Sequence, residues 1–163
     1  MTEHGIWTIN NKKELGVLRG RARNFDFDSM KRSEINSLIR RMRETMRKAN
    51  GVGLSANQIG LDFNLFVAQI EGKFYAIFNS KITKISSETV TLEEGCLSVP
   101  EVFGNVPRSL KVTLEGFTKD GKKIKIRAWG LLARVFQHET DHLSGKVFID
   151  RTKDIHKYVQ PKS

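Results

Sequence analysis

The sequence predicts an α+β fold: antiparallel β-sheets packed around a central helix bearing an HExxH pattern, with an amphipathic helix nearer the N-terminus. Three observations predict it. Apolar side chains recur at Ile35, Leu38, Ile39, Met42, Met46 and Ala49, a stripe with the 3.6-residue period of a helix packed on a core. Short strand-like runs meet in pairs at turn-forming dipeptides, Glu71-Gly72 and Asp120-Gly121. Helical spacing then returns at Leu131, Leu132, Val135 and Phe136 and leads into QHETDHL.

Taken in order, the first helix covers 29–49. Asp28 and Ser29 are its N-cap candidates, and Asn50-Gly51 supplies its stop. The stripe makes its methionines core residues. LFVAQI (65–70) and KFYAIF (73–78) form a hairpin across Glu71-Gly72, followed by short strands ITKI (82–85) and ETVTL (88–92). SLKVTLEGFT and KKIKIRAW alternate apolar and polar residues across Asp120-Gly121, a second hairpin. A helix over 128–143 closes the pattern. No internal repeat, low-complexity segment or Pro/Gly-rich linker interrupts it, so residues 1–163 are expected to form a single domain.

Composition narrows the class. Apolar content of 39% and charged content of 28% are those of a soluble globular chain. The longest apolar stretch, LFVAQI, is too short to span a bilayer, and MTEHGIWTIN lacks the basic-then-apolar start of a signal peptide. No membrane role and a cytoplasmic location are therefore expected. An organelle or the cytoplasm of a virus-infected cell fits the same observations. The single cysteine, Cys96, excludes an intramolecular disulfide and leaves a thiol for other work. A net charge of +10 favours acidic partners such as RNA, and much of the excess lies in 31–48. A solvated helix face explains that run equally well, since no aromatic side chain interleaves with its charges.

The stretch QHETDHL carries the chemistry. His138 and His142 lie one helical turn apart and project from one face, with Leu131 and Val135 expected on that core side. Two buried, unpaired imidazoles are costly, and a divalent cation resolves the cost by taking both rings as ligands. Glu139 is rotated about 100° from His138, which suits a general base acting on water and not a ligand. Asp141 is positioned to accept a hydrogen bond from a ligand imidazole or to lock the helix end. Downstream, Asp150, Asp154 and His156 show no ligand spacing. Upstream, EEGCLSVP offers Cys96, which with two imidazoles makes three protein ligands and an open fourth position, as in catalytic sites. In GVGLSANQIG (51–60), glycines and the small Ser55 and Ala56 suggest backbone packed close to another group, with Gln58 as an amide donor. A helix stop and tight turn account for the same stretch taken alone.

GVGLSANQ, EGCLS and QHETDHL, in this order and at these separations, resemble the three signature motifs of the peptide deformylases. The likeness extends to GNVPR (104–108), the lead-in GLLA (130–133) and GKVFIDR (145–151), and covers roughly residues 10–151. The resemblance implies that Cys96, His138 and His142 hold one metal ion, typically Fe2+, with Zn2+, Ni2+ or Co2+ able to substitute. It implies that Glu139 moves the proton of the attacking water, and that Gln58 and the Leu97 backbone N–H hold the oxyanion. It implies hydrolysis of the formyl group from an N-formylmethionyl nascent peptide, whose backbone pairs with Val52, Gly53 and Gly95. Val135 would line the methionine pocket, and Arg108 would lie near the substrate mouth.

Two departures stand out. Ser55 replaces an alanine common in the family, a change expected to matter little. Only 18 residues follow Gly145, so a compact form is expected, without the long C-terminal helix by which many bacterial members dock on the ribosome. The basic surface would then serve for docking. Two other readings compete. A metalloprotease would take a His or Glu as third ligand and leave Cys96 incidental. A ribosome- or RNA-binding protein with a structural metal would have no need of Glu139.

Overall fold

The larger sheet grows from two turns that the sequence announces. The computed structural model describes residues 1–157. In chain order these form α1 (Lys12–Leu18), α2 (Arg32–Lys48), β1 (Gly53–Ser55), β2 (Leu65–Ile70), β3 (Lys73–Ile85), β4 (Thr89–Cys96), β5 (Val99–Ser109), β6 (Lys111–Phe117), β7 (Lys123–Trp129), α3 (Gly130–Leu143) and β8 (Ile155–Lys157). Five strands make one antiparallel sheet in the order β1-β2-β3-β6-β7, and three make a second in the order β4-β5-β8. At the β2–β3 turn, Glu71 and Gly72 both have positive φ (50° and 79°), the backbone twist that suits a two-residue hairpin. The second turn closes with the Thr118 N–H donating to the Lys122 carbonyl at 2.8 Å.

β3 is one strand where the sequence suggested two. Its first half pairs with β2 and its second half with β6, and the register shifts between Phe78 and Lys81. Asn79 makes the bend possible at φ 49°. Its side-chain amide holds both backbone groups of Phe25, accepting from the N–H at 2.6 Å and donating to the carbonyl at 3.0 Å. β5 also went unread, because Pro100, Gly104 and Pro107 break its alternation.

Each helix covers a different face of the larger sheet. α2 buries Ile35, Leu38, Met42 and Met46 against Leu54, Leu65, Val67 and Phe78. α3 buries Ala133, Val135, Phe136 and Leu143 against Phe66, Ala68, Ile77, Val112 and Leu114. The two helices carry the core as expected, with shifted ends. α2 starts at Arg32, where the Glu34 carboxylate accepts from the Lys31 N–H at 3.2 Å. Asp28 and Ser29 lie instead in a preceding single-turn 3-10 helix. α3 starts at Gly130, since Ala128 and Trp129 still pair with β6. The short α1 was not foreseen, although Asn11 caps it through its side-chain oxygen. Among the described residues, no helix is long and apolar enough to cross a membrane. After Gly145 they contain one 3-10 turn (Phe148–Asp150) and β8. The rest of the expectation for the tail concerns 158–163, outside the described residues.

Candidate metal centre and its cleft

The centre forms where α3 meets the end of β4. One helical turn brings His138 and His142 together, with their Nε2 atoms 3.2 Å apart. Register shifts between Gly95 and Cys96, and this turns the Cys96 Sγ to within 3.1 Å of the His142 Nε2. All three ligand atoms lie within 4.8 Å of one another. A tetrahedral ion with bonds of about 2.0–2.3 Å requires ligand atoms about 3.3–3.6 Å apart. The spacings of 3.1 and 3.2 Å around His142 fall just below that range, and the donor set, one thiolate and two imidazoles, suits a borderline transition metal.

Charge at the centre is organised around the same three groups. Burial opposes a Cys96 thiolate, but the charge of His142 and hydrogen bonds from both imidazoles outweigh it, holding the thiol well below its ordinary range. A divalent cation would do the same work in place of the imidazole protons. Burial pushes the Glu139 carboxyl up, against the pull of His138 and His142. Its Oε2 is buried and has no hydrogen-bond partner among the described residues. Gly53 permits this approach: a Cβ built there would stand 2.7 Å from the Glu139 Oε1. An unsatisfied buried carboxylate of raised pKa beside a ligand cluster is the environment of a proton-transfer group.

The sequence did not single out Glu94, which is the partner of His138. Its Oε1 lies 2.9 Å from the His138 Nδ1. Arg108 reaches the same carboxylate through Nε and a terminal nitrogen, at 3.0 and 3.1 Å, and Arg134 joins it. Burial resists the charge, but bonds from His138 and Arg108 lower the Glu94 pKa to about 2. A fixed carboxylate on Nδ1 sets the ring's tautomer and leaves Nε2 free to bind a metal. The available signal was a second acidic residue directly before Gly95-Cys96.

Three expectations need correcting here. Arg108 is not at a substrate mouth: it is 5% exposed, and its guanidinium bridges Glu94 and Asp141, the latter at 2.6 Å. Buried carboxylates on both sides claim it. Asp141 correspondingly binds Arg108 and Arg151, not an imidazole. Leu131, expected on the core side of α3, is 50% exposed and lies on the cleft wall, because the helix begins there at the edge of the sheet.

The other sequence candidates converge on one cleft of about 410 Å³. Val52, Gly53, Gln58, Gly95, Cys96, Leu97, Val135, His138 and Glu139 line it. The Ser55 N–H donates to the Gln58 Oε1 at 3.0 Å, while the Ser55 hydroxyl lies 2.7 Å from the Asn57 Oδ1 and 3.0 Å from the Gln58 Oε1, so the Gln58 amide nitrogen points to Ser98 Oγ (3.0 Å) and Cys96 Sγ (3.8 Å). β1 and β4 are each the outer strand of their sheet, so two strand edges face the cleft. Val52 sits at the rim, 49% exposed, its carbonyl taken by the Gln69 N–H.

Comparison with known proteins agrees with this geometry. The family model for polypeptide deformylase matches residues 4–158. A peptide deformylase of Syntrophobacter fumaroxidans is 45% identical over 129 residues, which is 74% of this chain and 75% of that one. The crystal structure of peptide deformylase from Thermotoga maritima superposes with a TM-score of 0.81 at 38% identity, covering 90% of this chain and 95% of that one. A probable peptide deformylase from Synechococcus phage S-SSM7 gives 0.79 at 37% identity, covering 90% and 98%. Three signature motifs meeting in one cleft, a Cys-His-His cluster and these matches leave one assignment: the chain belongs to the peptide deformylase family, the metal-dependent hydrolases that remove the N-formyl group from newly made polypeptides.

Proposed function

We propose that Cys96, His138 and His142 hold one divalent metal ion, ferrous iron in preference to zinc, nickel or cobalt, and that Glu139, Gln58 and the Leu97 N–H carry out the deformylation. The single observation that supports this reading is the buried, unpartnered Glu139 carboxylate beside the ligand cluster. When bound, the metal polarises the formyl carbonyl and makes water acidic enough to attack at neutral pH. Glu139 accepts the proton from that water and passes it to the leaving amine. Its raised pKa brings it nearer the operating pH, where one group can perform both transfers. The Gln58 amide, oriented by Ser55, donates to the developing oxyanion together with the Leu97 backbone N–H.

The substrate's peptide backbone lies between the two strand edges and pairs with Gly53 and Gly95, with Val52 at the rim. Val135, buried on α3 and lining the cleft, contacts the methionine side chain. Glu94, Arg108 and Arg134 form the charged frame that keeps His138 in place. The thiolate and two imidazoles suit a borderline first-row metal, and the choice of ferrous iron rests on membership of the family. In this reading residues 1–163 act as one catalytic domain, in the cytoplasm where formylated chains are made, and the basic surface brings the enzyme to the ribosome. Cys96→Ser tests the ligand set. The protein should lose most of its metal and its formate release while keeping its fold. A variant with full metal content and full activity would hand the third position to another residue, as in a metalloprotease.

A further inference from the structure

We propose that the uncovered face of the β3–β6–β7 part of the larger sheet binds RNA. α2 packs on β1 and β2 and meets the β6–β7 hairpin only at its turn end, where Arg32 pairs with Asp120 and Phe27 packs on Phe117. Opposite α3, that part of the sheet therefore has no helix on it. Strand register shows which side chains stand there. Pairing sets Lys81 beside Glu115 and Lys125, Lys84 beside Thr113 and Arg127, Lys111 beside Trp129, and Phe117 beside Lys123. Their alternate neighbours, Val112, Leu114 and Ala128, are buried under α3. The exposed face thus carries Lys81, Lys84, Lys111, Lys123, Lys125 and Arg127, opposed by Glu115 alone on the paired positions. Among the described residues none of these six cations makes an ion pair, in contrast to Arg19, Arg23 and Arg32 elsewhere on the surface.

Trp129 distinguishes this face from an ordinary solvated sheet surface. It is 71% exposed at the end of the same row, more than any other large apolar side chain among the described residues. An indole beside a row of unpaired cations is the arrangement that stacks a base while neighbouring lysines hold the phosphates. Six cations spread over three neighbouring strands make a row suited to a polymer and not to a single phosphate. α2 is the weaker candidate: Glu34 and Glu44 interrupt its charges, and Arg43 is drawn over the Phe74 ring at 4.4 Å. One residue separates Trp129 from Leu131 on the cleft wall, so RNA held here lies at the side of the molecule where the substrate enters.

The test reads binding apart from catalysis, so its failure leaves the deformylase assignment standing. The full chain is titrated with a labelled oligouridylate, an RNA duplex and phosphatidylserine vesicles over a range of salt. Three proteins are compared: the parent, a Lys123→Glu/Lys125→Glu/Arg127→Glu triple variant and Trp129→Ala. Formate release and thermal melting serve as controls, and both should be unchanged. The triple variant should bind RNA at least tenfold more weakly, with a salt slope shallower by about 2, from three lost phosphate contacts at about 0.7 each. Trp129→Ala should weaken the oligouridylate about tenfold while leaving the duplex nearly unaffected. The proposal is overturned if the triple variant keeps the parent's affinity, if reversing Arg40 and Arg41 on α2 costs as much, or if the vesicles bind more tightly than RNA. Should the triple variant fail to fold, Lys125→Gln and Arg127→Gln taken singly must each weaken RNA binding, or the face is not the site.

Discussion

Gly53→Ala probes how the base is held. The new Cβ would stand 2.7 Å from the Glu139 Oε1, 3.0 Å from Cδ and 3.1 Å from Cγ. Ordinary contact begins near 3.4 Å, so the carboxylate would have to retreat by about 0.7 Å. β1 cannot yield instead, because Gly53 to Ser55 are paired to Ala68 through Phe66. Gly53 itself has no positive φ, so the backbone accepts alanine and the whole effect falls on Glu139. Displacements approaching 1 Å at a reacting group cost up to about a hundredfold. We expect kcat for formate release to fall roughly 10- to 100-fold, equivalent to about 1.4–2.7 kcal/mol of barrier. Crowding should also cost about 1–3 kcal/mol of stability. Metal content should be unchanged, since no ligand moves. Steady-state kinetics at matched metal loading, with a melting curve, decides it. A folded, metal-replete Gly53→Ala enzyme with parental kcat would refute the reasoning, because Glu139 would then not need the position that glycine permits.

Three further outcomes follow from neighbouring contacts. Ser55→Ala removes the hydroxyl that Asn57 Oδ1 (2.7 Å) and Gln58 Oε1 (3.0 Å) share and should lower kcat by about 2- to 10-fold with KM little changed; an unaltered kcat would leave Ser55 a packing role. Arg108→Ala leaves Glu94 and Asp141 short of a buried cation and should cost about 3–5 kcal/mol in chemical denaturation, while KM at a permissive temperature stays near parental. A large KM rise without loss of stability would restore Arg108 to the substrate mouth. Asp150 is held below its usual pKa of 3.8: burial opposes this, but Arg19 and the Val147 N–H prevail. A depressed native pKa gives stability that is complete above the unfolded value and lost as pH falls through the native one. Asp150→Asn should therefore melt below the parent at neutral pH, by about 0.5–1 kcal/mol for so exposed a pair, and the gap should close as pH drops below 3.8.

What could be read from the sequence was whatever a local period or a short motif encodes. The α2 stripe, both hairpin turns and the HExxH pair are of this kind, and each appears where its spacing put it. Cys96 was legible because a lone thiol upstream of two histidines has few other uses. The charged frame was not legible, because its members come from β4, β5 and α3 and meet only when the second sheet folds onto the helix. Arg108 was misplaced for that reason: a sequence records an arginine but not the two carboxylates that claim it. β3 was divided in two because the bend at Asn79 depends on a side chain gripping Phe25, 54 residues away. β5 was missed because two prolines and a glycine conceal a strand whose pairing is set by β4.

The account rests on Glu139 as the proton carrier beside a Cys-His-His metal centre. Formate release from a formylmethionyl peptide, measured anaerobically for the parent and Glu139→Gln at equal ferrous iron content, tests it most directly. Glutamine keeps the size of the side chain and removes the base, so the ligands and the fold remain. The predicted result is at least a hundredfold loss of kcat in the variant with its metal intact. Equal rates in two equally loaded proteins would contradict the account and move the proton transfer to another group.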